Sequence, residues 1–161
     1  MFTKAGLIEL HDRAHQSYFA LLEHVATLPS ADLQTPLDNF GFPQIRKQLM
    51  HLAGTEKFWI TMLKHGKYER AEHVSADDVE GMRQIFAEIA RETRDYLNEL
   101  PDERLNSPCE LVFSDGKLVT TPALVICHIV THGYHHKGQV VAMCRQLGHP
   151  APDTDMEIGV G

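Results

Sequence analysis

The segment from Thr121 to Gly148 constrains the fold more than any other part of the 161-residue chain. Thr121 is a good N-cap, Pro122 suits the first helical position, and Gly148 followed by Pro150 suits the end of a helix. Between these ends, one face carries residues at steps of four or three: Val125, Ile129, His132, His136, Gln139, Met143 and Leu147. This spacing predicts one long bundle helix whose inward stripe is polar in its middle.

Two histidines, His132 and His136, lie one turn apart on that inward face. A lone buried histidine usually bonds a backbone carbonyl, but each ring nitrogen of a buried pair needs a partner. Spacing of four puts the Cβ atoms about 5–6 Å apart, so both rings can reach one metal ion at the ~2.0–2.1 Å of zinc–nitrogen bonds. His135 also shares a face with His132, and His128, one turn earlier, is a candidate extra ligand or supporting residue. We favour His132 and His136, which are in register with the apolar stripe.

The residue after His132 argues against one family of metal enzymes. A zincin helix has the pattern H-E-x-x-H, in which the Glu is the general base. This chain has the second histidine, His136, but carries Gly133 in place of the Glu. A zincin-type protease is therefore not expected. Glycine costs about 1 kcal/mol relative to alanine within a helix, so Gly133 predicts close packing of another element or room for a ligand beside the metal.

A third ligand is expected from residues 42–63, which predict another helix. Its apolar positions are Ile45, Leu49, Leu52, Trp59 and Leu63. His51 flanks this stripe and can lean into the bundle centre. Alone it would more often be a surface or core-edge residue, but beside the pair on the last helix it is the best third candidate. Glu56 is either an acceptor for a ligand's free N–H or a packing-edge carboxylate, and Gln139 is a similar acceptor candidate.

The remaining pattern predicts four long helices and one irregular connection. The first helix covers about residues 3–28 and the second about 44–65. The third opens at Ser75, where Ser-Ala-Asp-Asp resembles a capping box, and stops at Pro101. Its predicted buried face consists of Val79, Met82, Phe86, Ile89, Thr93, Tyr96 and Leu100. In residues 109–121 two apolar runs flank Ser-Asp-Gly, which indicates a hairpin. We predict a single all-α domain over residues 1–161: an antiparallel four-helix bundle with a long hairpin-containing connection before the last helix.

Three short motifs resemble those of a known family. His51 is followed by Glu56 and Trp59, residues 132–139 read His-Gly-Tyr-His-His-Lys-Gly-Gln, and residues 147–150 read Leu-Gly-His-Pro. In these motifs and in its helix order, the chain resembles the DinB/YfiT-like superfamily. The resemblance implies a four-helix bundle, commonly a homodimer, that holds one divalent metal ion. It implies as ligands His51, His132 and His136. Many relatives have Glu or Ala at position 133, so no carboxylate role is carried over there.

A three-histidine site has chemical consequences. Three nitrogen ligands leave the fourth position of zinc open, which is typical of catalytic sites. Such an ion lowers the pKa of bound water to about 7 and can also ionise a thiol. The resemblance implies both chemistries: a metal-dependent hydrolase, or a transferase that uses a small-thiol cosubstrate. Zinc or nickel is the expected metal, and the sequence identifies no catalytic residue. The alternative is a non-catalytic metal-binding protein of a stress response.

Composition limits the partners and the compartment. Lys and Arg total 15 against 22 Asp and Glu, a net charge of −7, which opposes nucleic-acid binding and leaves a small-molecule substrate as the expected partner. No stretch is long and apolar enough to span a bilayer, and no signal-peptide pattern is present, so no membrane partner is expected. The three cysteines, without a C-x-x-C pair, predict small buried hydrophobes in a reducing cytoplasm.

Overall fold

The computed structural model describes residues 1–67 and 74–159. Within them the helices are α1 (Lys4–Val25), α2 (Ile45–His65), α3 (Val79–Glu99), the short α4 (Asp102–Leu105) and α5 (Pro122–Gln146). A hairpin of β1 (Cys109–Phe113) and β2 (Gly116–Thr120) precedes α5, with antiparallel pairing that places Leu111 opposite Leu118. The prediction of an all-α protein with a hairpin in the connection before the last helix is confirmed.

The helix ends follow local backbone chemistry. Thr121 caps α5 as predicted, because its hydroxyl accepts a first-turn amide at 3.2 Å. Gly66 ends α2 at φ 71°, a left-handed conformation that glycine adopts without steric penalty. The predicted start of α3 at Ser75 is wrong. Asp78 is the N-cap, and its Oδ1 accepts the Gly81 amide at 2.8 Å. A carboxylate at this end also favours the helix dipole.

The four long helices form a bundle in which each packs against two others. The adjacent pairs are α2 with α5, α1 with α5, α1 with α3, and α2 with α3. Asp12 on α1 bonds Arg94, and Glu23 bonds Arg83 at 2.7 Å, so α1 and α3 run antiparallel. Contacts of α2 with α5 follow the same reversed order. In the contacts of α1 with α5, and of α2 with α3, the residue numbers instead increase together along both partners, so these two pairs of helices run parallel. The predicted four-helix bundle is therefore present, but it combines two antiparallel and two parallel neighbours instead of the antiparallel order predicted throughout.

Parallel packing of α2 and α3 requires enough chain between them to join the end of α2 to the start of α3 at the opposite end of the bundle. Residues 66–78 separate the two helices. Thirteen extended residues reach about 43–47 Å, whereas the 21 residues of α2 are only about 31 Å long. Chain length therefore permits this topology, which a short loop would exclude.

Apolar side chains fill the bundle on both sides of a polar level. The residues buried on α3 are Met82, Phe86, Ile89, Thr93 and Leu97. Leu97 takes the place predicted for Tyr96, which is half-buried, as is Leu100.

Cys144 is buried as expected, but Cys109 and Cys127 are only partly buried, and all three thiols are free. Among the described residues, no helix is long and apolar enough to cross a membrane.

Candidate metal centre

The structure brings together the three histidines predicted as ligands. His51 on α2 faces His132 and His136 on α5, and one ring nitrogen of each lies within 4.8 Å of those of the other two. The ring centroids of His51 and His136 are 4.5 Å apart. The Nε2 atoms of His132 and His136 are 3.1 Å apart. Two nitrogens that bind one tetrahedral ion at ~2.0–2.1 Å are about 3.3–3.4 Å apart, so the cluster has the dimensions of a metal site.

A buried glutamine orients one of these rings. Nδ1 of His136 donates to Oε1 of Gln48 at 2.7 Å, and Gln48 is completely buried. This bond places the ring proton on Nδ1 and leaves the Nε2 lone pair directed at the other histidines. The amide nitrogen of Gln48 donates to Gln139, whose own amide donates to Nε2 of His135 at 2.8 Å. Gln139 therefore supports the site indirectly. It bonds Gln48, and Gln48 bonds His136, whereas the sequence suggested a direct hydrogen bond from a histidine to Gln139.

Aromatic packing fixes the remaining side of the cluster. Phe42, which precedes α2, stacks on His51 with centroids 4.0 Å apart and meets His136 edge-on at 6.1 Å. Trp59 contacts His128 edge-on at 5.3 Å, and His128 is 5.7 Å from His132. His128 and His135 are both exposed and lie outside the three-nitrogen cluster. The structure thus separates the predicted ligands from the two neighbouring histidines.

Electrostatics favour the neutral form of all three rings. Burial lowers the pKa of His51. Burial, and then the repulsion of neighbouring imidazoles, lowers the pKa of His132 and of His136 to about 4. Neutral imidazole is the form that binds metals. None of the carboxylates that the structure describes belongs to this cluster, so its donor set is three neutral nitrogens, which suits a divalent ion of borderline softness.

Gly133 is explained by close packing. A Cβ at this position would lie 1.9 Å from the hydroxyl oxygen of Tyr18 and 2.6 Å from its Cζ. Tyr18 is buried on α1, and its hydroxyl donates to the carbonyl of Val130 at 3.3 Å. Burial raises the pKa of Tyr18, so the hydroxyl keeps its proton. The sequence predicted either close packing of another element at Gly133 or room for a ligand, and the structure supports close packing, by Tyr18 of α1.

Glu56 lies apart from the three-histidine cluster, in a second cluster that sequence reasoning missed. It is buried and accepts hydrogen bonds from Nε2 of His11 at 2.8 Å, Nε2 of His15 at 3.0 Å and the hydroxyl of Thr93 at 2.7 Å. Burial raises the pKa of Glu56, but His15 and His11 outweigh burial and hold it well below its usual range. His11 and His15 are four residues apart on the buried side of α1. The same spacing that identified the pair on α5 could have identified them.

The chain is a four-helix bundle in which histidines of two adjacent helices converge in a cluster that could hold a metal ion. The chain belongs to the DinB family, whose sequence pattern matches residues 1–158. Among curated relatives, the protein DinB of Bacillus subtilis (strain 168) is 28% identical over 123 residues, which cover 71% of this chain and 70% of that protein.

Solved structures share the fold. A DinB-like protein from Bacillus cereus ATCC 10987 superposes with a TM-score of 0.74 at 14% identity, covering 94% of this chain and 97% of the other. YfiT from Bacillus subtilis superposes with a TM-score of 0.70 at 18% identity, covering 92% and 91%. YfiT is described as a probable metal-dependent hydrolase with an unusual four-helix bundle topology. The mixed parallel and antiparallel order of the present bundle also departs from an up-down-up-down arrangement.

Proposed function

We propose that this protein is a divalent-metal-dependent hydrolase in which His51, His132 and His136 hold one zinc or nickel ion. The observation that carries the proposal is the convergence of three ring nitrogens within 4.8 Å of one another. Structural likeness to YfiT, named a probable metal-dependent hydrolase, supports the same reaction class. The proposed substrate is a small molecule, because a net charge of −7 opposes nucleic acids.

The surroundings of the site suit catalysis better than purely structural binding. Three neutral ligands leave the charge of the ion uncompensated and one coordination position open. His51 and His132 are only partly buried, so a small molecule can approach this position. An ion held there supplies a Lewis acid that makes water, or a small thiol, a stronger nucleophile. Gln48 contributes by holding the tautomer of His136, and Phe42 by holding the plane of the His51 ring.

Metal analysis of ligand variants tests the first part of the proposal. Protein purified without an affinity tag is compared with the single variants His51→Ala, His132→Ala and His136→Ala. Each should lose one ion per chain. His135→Ala is the matched control, because this exposed neighbour lies outside the cluster, and its metal content should equal that of the unchanged protein. Loss of metal in His135→Ala with retention in His136→Ala would refute the assignment.

A substrate screen tests the second part. The metal-loaded protein is incubated with panels of esters, amides and phosphoesters, and separately with small thiols and electrophiles. Hydrolysis that disappears in His132→Ala and persists in His135→Ala supports the proposal. Turnover that needs an added thiol would assign the same site to a thiol transferase instead. A bound ion without turnover in either panel would contradict an enzymatic role and favour a non-catalytic metal-binding protein.

A further inference from the structure

The cluster around Glu56 places an acidic side chain in the interior of the bundle. Glu56 is 2% exposed, and its ionic partners among the described residues are His11 and His15, which are 1% and 5% exposed. Thr93 adds a neutral hydroxyl. A buried carboxylate is costly unless a cation or a full set of donors compensates it. The Nδ1 atoms of both histidines are also buried and have no hydrogen-bond partner among the described residues.

The geometry of the cluster is that of a ligand set. One nitrogen of His11, one nitrogen of His15 and a carboxylate oxygen of Glu56 all lie within 4.8 Å of one another. Both Nε2 atoms already point at the same carboxylate, at 2.8 and 3.0 Å. Two histidines and one carboxylate are a recurrent ligand set for divalent transition metals. An ion seated among them would replace the two hydrogen bonds and compensate the charge.

A neighbouring carboxylate is placed to support such an ion. Oδ1 of Asp12 lies 3.9 Å from Nδ1 of His11, the nitrogen that faces away from Glu56. Metal-bound histidines commonly donate this second N–H to a carboxylate, which fixes the ring and strengthens it as a ligand. At 3.9 Å the two atoms are neighbours but are not hydrogen-bonded.

We propose that His11, His15 and Glu56 form a second divalent-cation site, which is structural. It is distinct from the three-histidine cluster, because Glu56 lies five residues beyond His51, about 7.5 Å along α2 and about 140° around it. Tyr18 stands between the two sites, with its ring 5.2 Å from His15 and its hydroxyl against Gly133. Complete burial leaves no route for a substrate, so the ion would link α1 to α2 beside Thr93 of α3.

Metal titration in a background without the first site tests this proposal independently of the proposed function. The double variant His132→Ala/His136→Ala is stripped with chelator and titrated with Co²⁺ and with Zn²⁺. Absorbance reports cobalt coordination, and mass spectrometry reports ions per chain. The unchanged protein should bind two ions and the double variant one. Adding Glu56→Gln to the double variant should abolish binding, whereas adding His24→Gln, on the same helix but outside the cluster, should leave one ion.

Each outcome separates the two proposals. One ion in the unchanged protein and none in the folded double variant would overturn the second site, and the cluster would then be a hydrogen-bonded network alone. If the unchanged protein and the double variant each bind one ion, and Glu56→Gln abolishes that binding, the three-histidine assignment would be overturned and the site at His11, His15 and Glu56 supported. Should Glu56→Gln fail to fold, the double variant still decides. A metal-induced rise in its melting temperature would support the second site, and an unchanged melting curve would contradict it.

Discussion

Replacing Gly133 by Ala is expected to destabilise the protein, although alanine is the better helix former. The added Cβ would lie 1.9 Å from the Tyr18 hydroxyl oxygen, at least 1.1 Å inside the 3.0 Å below which real Cβ atoms essentially never approach. Tyr18 cannot swing aside easily, because it is 2% exposed and packs against His15, Phe86 and Tyr134. Either the ring or the backbone of α5 must therefore move.

The size of the effect follows from two opposing terms. Overpacking a filled core costs about 1–3 kcal/mol, and so deep an overlap belongs at the upper end. Alanine regains about 1 kcal/mol of helix propensity. The net loss is then about 2 kcal/mol, or about 4–8 °C in melting temperature for a chain of this size. Gly138 is the matched control on the same helix, because nothing lies within 4 Å of its Cβ position. Gly138→Ala should gain about 1 kcal/mol.

Urea unfolding followed by circular dichroism measures both variants. Tyr18→Phe in the Gly133→Ala background should restore only part of the loss, because it removes the atom at 1.9 Å and leaves the ring carbon at 2.6 Å. Equal free energies of unfolding for Gly133→Ala and Gly138→Ala would refute the reasoning. The reasoning would also be refuted if Tyr18→Phe changed the free energy of unfolding by the same amount in Gly133→Ala and in the unchanged protein.

Two further predictions concern the three-histidine cluster. Gln48→Leu removes the acceptor of Nδ1 of His136 and should weaken metal binding about 10–100-fold in a chelator competition assay, whereas Gln146→Leu, exposed at the end of α5, should not. The pKa of His132 and of His136 is lowered to about 4. The unfolded chain therefore takes up protons first, so stability of the metal-free protein is complete above about pH 6.5 and is lost as pH falls towards 4. Denaturant titrations at a series of pH values should show this fall in the free energy of unfolding, and the fall should be smaller in His132→Ala. Metal binding should persist at pH 6 and fail towards pH 4. An unchanged pH dependence of the free energy of unfolding in His132→Ala would contradict the assignment.

Local rules predicted α5 and α2 well because several independent features agree there. Thr121 and Pro122 define one end of α5, and the four-three spacing places His132 and His136 inward whatever the neighbouring helices are. The choice of His51 as the third proposed ligand required the assumption that α2 and α5 are adjacent, and contact between the two helices confirms that adjacency. The start of α3 was harder, since Ser75 and Asp78 both carry capping side chains within one turn of each other. Only the backbone decides which of them caps.

The supporting residues could not be predicted because their roles depend on rotation about α2. Gln48 and Glu56 are both polar positions beside the apolar stripe of α2. Glu56 was predicted as a hydrogen-bond acceptor near the proposed ligands, whereas Gln48 was not identified from the sequence. In the folded chain Gln48 faces α5 and bonds His136, whereas Glu56 faces α1 and α3. Periodicity gives the angle between two residues of one helix but not the identity of the helix that each one faces. That identity depends on the parallel order of α2 and α3, which no local pattern encodes.

Tyr18 contacts both polar clusters. Its ring touches His15 of one cluster, and its hydroxyl occupies the space left by Gly133, next to His132 of the other. Glycine lowers the helix propensity of α5 at this position, but it allows α1 to pack closely against α5. Gly133 therefore allows Tyr18 of α1 to pack against α5 next to His132, without itself being one of the proposed ligands.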